Sequence, residues 1–202
     1  TSAFTLETNE DWSSIGVRPG DARAWDALDE SVRSEWRERI EPLHAPLREG
    51  LWAGAHRVSG WAYPPAQIGQ FGTDYRLRAA VALGGLGALE PLEALYLGID
   101  HSPDGQPLSG SRPYRLAVPG GGVPTDAFWS LSMYELLPDG RSFFVDNPIG
   151  RYAVGDRSPG LARRPDGSFD LWIQRDRPDA SDPRAPNWLP APAGRFQLTL
   201  RA

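Results

Sequence analysis

The side chains of this sequence that could hold a ligand concentrate in its second half. An arginine guanidinium offers a fixed fork of donors to a carboxylate or phosphate, an asparagine amide both donates and accepts, and flat aromatic rings stack on sugars or other ring systems. The predicted ligand-binding residues are Trp129, Tyr134, Asn147, Arg151, Asn187 and Trp188. Such a set suits a small-ligand pocket at the end of a β-sandwich. The alternative is that these side chains only tie turns to the core and satisfy buried carbonyls.

Carboxylates in the same stretches are the candidates for acid–base chemistry. The candidate catalytic residues are Asp74, Asp146, Arg151 and Tyr152, and Asp100 and Asp156 have similar settings. Two carboxylates about 5 to 9 Å apart could hydrolyse a glycosidic bond. Aspartates in such places also cap turns and helices, which is the competing interpretation.

The composition excludes several kinds of chemistry. All 21 basic residues are Arg, so a Schiff-base lysine and a P-loop lysine are excluded. The chain contains no Cys, which excludes disulfides, a thiolate nucleophile and cysteine-ligated metals. The spacing of a metal triad is not found among His44, His56 and His101. The sequence also lacks the Gly-x-Ser-x-Gly elbow that would indicate a serine hydrolase. We therefore predict no metal and no cofactor.

The charge balance and hydropathy bear on partners and location. The net charge of -5 is spread along the chain, which argues against nucleic acid and against an anionic membrane surface as partners. No apolar run approaches 18 residues, so we expect no transmembrane segment. The first five residues lack the basic and apolar regions of a signal peptide, which favours a cytoplasmic location. The chain begins at Thr1, so an upstream segment can be missing.

Residues 1–60 are predicted to form an N-terminal arm and an amphipathic helical segment. From Asp21 onward, which is a plausible N-cap, apolar residues recur every three or four positions. Pro42 and Pro46 are expected to end or kink this helix near Glu41, with a short helix after it. The apolar face of the helix is also a candidate surface for a homo-oligomer.

Residues 61–202 are predicted to form one β-rich domain with a helix at about residues 74–89, capped by Thr73 or Asp74. Its main predicted strands are Leu95–Asp100, Tyr114–Val118, Phe128–Tyr134, Phe169–Gln174 and Phe196–Leu200. The third of these opens a hairpin whose second arm begins at Phe143 and runs into the turn Asp146–Tyr152. Seven or eight short strands with regular turns predict a mainly β fold: a jelly-roll-like antiparallel β-sandwich with the preceding α-helices packed on it.

Six motifs in order carry a family resemblance. They are Gly72–Leu89, Glu93–Tyr96, Asp104–Gly110, Ala127–Tyr134, Val145–Asp156 and Asn187–Gly194. Together they resemble the bacterial domain-of-unknown-function family 1214, often found as the C-terminal half of proteins whose N-terminal half is family 1254. The resemblance covers about residues 60–202 and implies a jelly-roll-like β-sandwich preceded by helices. It implies no settled activity.

The sequence departs from this family in two places. Members commonly continue past the last strand into a tail containing Tyr-Trp-Pro, whereas this sequence stops at Ala202. The 202 residues do not include the family 1254 half, and residues 21–60 are expected to be the helical connector that would follow such a half. A function that depends on both halves would then be incomplete in this chain.

Three functional hypotheses follow from these residues. The first is a small-ligand binding domain for a carbohydrate-like or aromatic compound. The second is a cofactor-independent hydrolase or lyase that uses Asp with Arg or Tyr. The third is a structural or interaction module that self-associates through the N-terminal helix.

Overall fold

The structure, a computed structural model, describes residues 12–18, 20–52 and 55–202. Its α-helices are α1 (Glu30–Trp52) and α2 (Tyr75–Gly84), and short 3-10 helices lie at Ser13–Ile15 and Ala185–Asn187. Its strands are β1 (Arg57–Val58), β2 (Trp61–Ala62), β3 (Tyr96–Ile99), β4 (Tyr114–Val118), β5 (Ser130–Leu136), β6 (Ser142–Phe143), β7 (Ala153–Gly155), β8 (Phe169–Gln174), β9 (Trp188–Pro190) and β10 (Phe196–Arg201).

These elements form two compact units. The helical unit contains the described residues up to Ala55 together with Pro65–Glu93, and the β unit contains His56–Pro64 and Ala94–Ala202. The division of the chain at residue 60 stays a prediction. The arm that the sequence predicts before Asp21 lies mostly outside the described residues.

Helix α1 differs from the helix that the sequence predicts. Residues 21–28 form turns, with Asp21 accepting the backbone N–H of Arg23 at 2.9 Å, and the helix begins only at Glu30. It then continues through Pro42 and Pro46 to Trp52. Each proline removes one backbone donor, but the carbonyls left without a partner belong to the exposed residues Glu38 and Pro42, where water can bond them. The prediction of a helix end near Glu41 was therefore wrong.

Helix α2 begins where the sequence places it and ends earlier. The Asp74 side chain accepts the backbone N–H of Leu77 at 2.9 Å and so caps the first turn. The helix stops at Gly84 rather than Leu89, since Gly85 and Gly87 follow within three residues. Ala80 and Val81 are buried and form the core of this unit with Leu51 of α1.

The β unit contains a seven-stranded and a three-stranded sheet. The larger sheet has the order β1-β2-β3-β10-β5-β6, with β7 also paired to β5, and all of its pairs are antiparallel. The smaller has the order β4-β8-β9, in which β8 and β9 are parallel. The prediction of a mostly β chain with antiparallel sheets is confirmed at this level, and the sheets are not closed.

The two sheets share one hydrophobic core. On β5, Leu131 and Met133 point inward while the serines between and before them point to the other face, which is the alternation typical of a strand with one buried face. The same cluster contains Leu171 of β8, Leu189 of β9 and Phe196 of β10. The face of β5 with Leu131 and Met133 is therefore occupied by the core, and the face with the serines is the one that other groups can contact.

The predicted hairpin is shorter than its sequence suggests. Only Ser142 and Phe143 of the second arm pair with β5, and the chain then leaves the sheet until β7 returns to the same strand. The reason is local: the side chain of Asn147 bonds the backbone around it, and Pro148 has no N–H to offer a ladder. Strand β9 was not predicted, because the prolines that follow Trp188 indicate a turn.

Candidate functional site

The turn from Asp146 to Tyr152 is held by one side chain. The Asn147 amide group donates to the carbonyls of Val145 at 3.2 Å and Arg151 at 3.1 Å, and its Oδ1 accepts the backbone N–H groups of Ile149 and Arg151. Four hydrogen bonds use the full capacity of the amide. Asn147 therefore shapes this turn and has no group left for a ligand.

Three aromatic rings lie together beside this turn. Tyr134 of β5 and Phe144 are stacked, with centroids 4.7 Å apart and planes at 17°, and Phe144 lies 5.3 Å from Tyr152. Phe144 is 52% exposed and the two tyrosines are half-buried. The Tyr152 hydroxyl donates to the carboxylate of exposed Asp146 at 3.4 Å. We call Tyr134, Phe144 and Tyr152 the aromatic triad.

Arg151 connects the turn to the segment before β9. Its Nη1 donates to the carbonyls of Pro186 and Trp188, each at 2.8 Å. Burial lowers the pKa of the Arg151 guanidinium from its ordinary value. The remaining N–H groups of this guanidinium have no acceptor among the described residues. Arg151 thus ties two loops together and retains donors for a further partner.

Three predicted ligand-binding residues are buried. Trp129 is 5% exposed and stacks on Phe169 at 6.3 Å, and Trp188 is 2% exposed with its Nε1 donating to the carbonyl of Gln174 at 2.8 Å. Asn187 both accepts from and donates to the backbone of Ala162, at 2.8 and 2.7 Å. A ligand at the surface of this structure does not reach these groups.

The remaining carboxylate candidates have local roles. Asp74 is in the helical unit as the α2 cap. Asp100 bonds His101 at 2.9 Å between its Oδ1 and the ring Nδ1, and Asp156 accepts the backbone N–H of Trp129 at 3.2 Å. Of the four candidate catalytic residues, the structure brings Asp146 and Tyr152 into contact.

Phe144 is the site residue that the sequence interpretation did not single out. A signal was present, because Phe143 and Phe144 follow one another at the end of a strand and consecutive residues of an extended chain point to opposite sides. At least one of two such rings must then face away from the core.

Within residues 12–18, 20–52 and 55–202, no three His, Asp or Glu side chains are grouped so that they could hold a metal ion. Neither α1 nor α2 is long and apolar enough to cross a membrane.

Comparisons with known proteins place the chain among uncharacterised ones. A family model described as protein of unknown function (DUF1214) matches residues 93–202, just over half of the chain. A comparison with curated proteins gave no match.

Two solved structures are similar to this chain. The VPA0106 protein from Vibrio parahaemolyticus matches with a TM-score of 0.51 and 21% identity, over 94% of this chain and 44% of that one. An uncharacterised protein from Burkholderia cenocepacia matches with a TM-score of 0.41 and 17% identity, over 86% and 38%. The first supports the fold alone, and this chain spans less than half the length of either structure.

Proposed function

This chain belongs to the DUF1214 family of proteins of unknown function, and we propose that its β unit binds a small carbohydrate-like ligand on the aromatic triad. The observation that carries the proposal is the exposed ring of Phe144 in contact with two tyrosines, one of which bonds the carboxylate of Asp146. The supporting scaffold would be the jelly-roll-like sandwich that the family resemblance implies.

The exposure of Phe144 together with its contacts to two other rings favours a ligand over a structural role. A ring that only completed a core would be covered, whereas half of this one faces solvent. Its stacking on Tyr134 and contact with Tyr152 hold it in place, so a ligand would find the surface already formed. A rigid aromatic surface of this kind lowers the conformational entropy lost on binding.

Polar groups around the rings match the chemistry of a sugar. The hydroxyls of the two tyrosines can each donate or accept, and Asp146 accepts only. A pyranose presents a face of C–H groups to a ring and hydroxyls at its edge, so the ring face and the polar edge of the site would each find a counterpart. A flat aromatic compound would use the ring face but offer no donor to the second carboxylate oxygen of Asp146, which Tyr152 does not bond.

The test compares two adjacent phenylalanines by saturation-transfer NMR and titration calorimetry. The probes are maltose, cellobiose and N,N′-diacetylchitobiose. Phe144→Ala should weaken binding by about tenfold, since it removes the central stacking surface. Phe143→Ala is the matched control, because Phe143 is 51% exposed and contacts the Arg141 guanidinium rather than the triad. Binding of none of the three sugars, or equal losses in both variants, would refute the proposal.

The hydrolase or lyase hypothesis has less support. Asp74 is used as a helix cap and Arg151 as a donor to two carbonyls. Asp146 and Tyr152 remain as a contacting pair, but Tyr152 is a member of the triad and Asp146 is bonded to it, so the pair fits the binding role equally well.

A second candidate function is self-association through α1. Ile40 and Leu43 are 37% and 53% exposed and lie three residues apart on this helix. We propose that a second copy of the chain covers them. Light scattering after gel filtration should then show a concentration-dependent mass that Leu43→Glu abolishes. A constant monomer mass would refute it.

A further inference from the structure

The helical unit contains a cavity of about 230 Å³ between its two helices and the loop before α2. Leu47 of α1 and Leu77 and Ala80 of α2 form its apolar part, and Ala80 is fully buried. Gln67, Asp74 and Arg76 line it with polar groups. The cavity therefore combines an apolar floor with both signs of charge.

The two charged groups of the cavity are not paired with each other. Residues two apart on a helix do not face one another, and Arg76 makes no hydrogen bond or ion pair with any described residue. Asp74 uses Oδ1 to accept the Leu77 N–H, which leaves Oδ2 without a donor. One cation and one carboxylate oxygen, both on exposed residues, thus remain free in the lining of the same cavity.

Both charges also restrict the ligand. A simple anion would be attracted by Arg76 and repelled by Asp74. A simple cation would be attracted by Asp74 and repelled by Arg76. A molecule that carries an ammonium and a carboxylate satisfies both groups at once. The apolar floor would then take an uncharged side chain, which removes apolar surface from water.

We infer that the cavity at Asp74 and Arg76 binds an aliphatic zwitterion of the α-amino acid class. Its carboxylate accepts from the guanidinium fork of Arg76 and its ammonium donates to Asp74. Its side chain packs on Leu47, Leu77 and Ala80. This site lies in the helical unit and does not depend on the sugar site proposed for the β unit.

Gly50 of α1 makes the room for this ligand. A Cβ atom at Gly50 would lie 3.9 Å from Nη2 of Arg76, which is ordinary contact. A longer side chain at this position would extend toward the guanidinium and into the cavity. Substitution of Gly50 therefore offers a way to block the site from a second element.

Titration calorimetry of the 202-residue protein with L-leucine, L-valine and L-methionine tests the inference. L-leucine should bind with a Kd in the micromolar to millimolar range. Two analogues each lack one charge: 4-methylpentanoate has no ammonium and 3-methylbutylamine has no carboxylate. Each should bind at least about tenfold more weakly than L-leucine, since one charge-assisted hydrogen bond is lost.

Variants assign the effect to the cavity. Arg76→Gln, Asp74→Asn and Gly50→Leu should each weaken L-leucine binding by about tenfold or more. Asn is as good an N-cap as Asp, so α2 is retained. Arg39→Gln is the control, because Arg39 is exposed on α1 and pairs with Glu35 at 2.8 Å away from the cavity lining. Circular dichroism of each variant checks that the helices persist.

Three results would overturn the inference. The first is no binding of any of the three amino acids up to about 10 mM. The second is equal affinity for L-leucine and either analogue. The third is unchanged affinity in both Arg76→Gln and Asp74→Asn. The third result would refute it even if Gly50→Leu lost affinity, since the ligand would then not be recognised as a zwitterion.

Discussion

The β unit and the helical unit differ in how much apolar surface they bury. Among the described residues, the core of the β unit contains thirteen buried hydrophobic side chains, and that of the helical unit contains five. Burial contributes roughly 25 cal/mol per Å² of apolar surface. The β unit therefore has much the larger stabilising term, although the helical unit contains the longer regular element.

Helix α1 shows why the length of an element does not make up for a small buried apolar surface. Leu51 is its buried residue among 23 positions, and its ion pairs, such as Glu30 with Arg33 and Glu35 with Arg39, are on the surface. Exposed pairs of this kind contribute little to stability, since solvent and salt screen them. The comparison teaches that an amphipathic pattern alone does not bury a helix. We expect amide exchange to be faster throughout α1 than in β5, β8 and β10.

The largest expected effect comes from matched leucine truncations in the two cores. Leu171→Ala should cost about 4 kcal/mol of unfolding free energy, because its surroundings on β8 are fixed by both sheets. Leu51→Ala should cost about 3 kcal/mol and affect the helical unit alone. Denaturant unfolding followed by hydrogen exchange measures both. Equal costs with global unfolding in both variants would break the distinction between the units.

Removing a side-chain hydrogen bond to the backbone should also cost more stability in the β unit than in the helical unit, although both losses are smaller than those of the leucine truncations. Asn187→Ala removes two hydrogen bonds to the Ala162 backbone and should cost about 2 kcal/mol. In the helical unit, Trp36→Phe removes one hydrogen bond of 3.0 Å from the indole to the carbonyl of Ile15 and should cost about 1 kcal/mol. Thermal and chemical denaturation give both values, and a larger loss for Trp36→Phe would contradict the expectation.

Glycines should respond in opposite directions in the two units. Gly110→Ala places a Cβ 1.8 Å from the Pro192 carbonyl oxygen and should destabilise the β unit by about 1 to 3 kcal/mol. Gly50→Ala has room for its methyl group and should stabilise α1 by about 0.5 to 1 kcal/mol. Relative to the natural sequence, Gly110→Ala should lower the melting temperature and Gly50→Ala should raise it. A shift of both in the same direction would contradict the comparison.

The smallest expected difference between the two units is in the acid titration of one carboxylate from each, Glu30 in the helical unit and Asp182 in the β unit. The Arg37 and Arg33 guanidinium groups lower the pKa of Glu30, and hydrogen bonds from the Arg184 side chain and backbone lower that of Asp182. A lowered folded-state pKa gives stability above the unfolded-state value, near 4, which is lost as pH falls through the folded-state value.

Salt should separate these two carboxylates. The pairs of Glu30 join exposed side chains on one helix, so 1 M NaCl should raise its pKa by screening. Asp182 should change less, since a backbone N–H also donates to it at 2.8 Å. NMR titration of the two carboxyl carbons provides the readout, and equal salt responses would show that the backbone bond adds nothing.

The sequence predicted some elements of this protein to the residue. Strands β4 and β8 have the predicted bounds, because an alternating apolar pattern between turn signals leaves one register for burial. The cap of α2 at Asp74 is one of the two that the sequence predicted, Thr73 being the other, since a capping side chain acts within its own turn. These features depend on neighbours along the chain.

Other features could not be read in this way. Pro42 and Pro46 disfavour a helix in isolation, yet α1 continues through them, and the freed carbonyls belong to exposed residues. The roles of the candidate residues depend on partners far along the chain: Arg151 bonds carbonyls at 186 and 188, and Asn187 bonds residue 162. The residue type shows which hydrogen bonds a side chain can make. It does not show which backbone or side-chain group the fold places beside it.

The sequence by itself therefore determined that this chain is mostly β, which of its faces are apolar and which chemistry it lacks. Only the tertiary structure decided that Trp129 and Trp188 face the interior while Phe144 faces solvent, and that Asp74 and Arg76 share a cavity without pairing. The physical reason is that propensity and alternation act over a few residues, whereas burial and access are set by packing between segments distant in the chain.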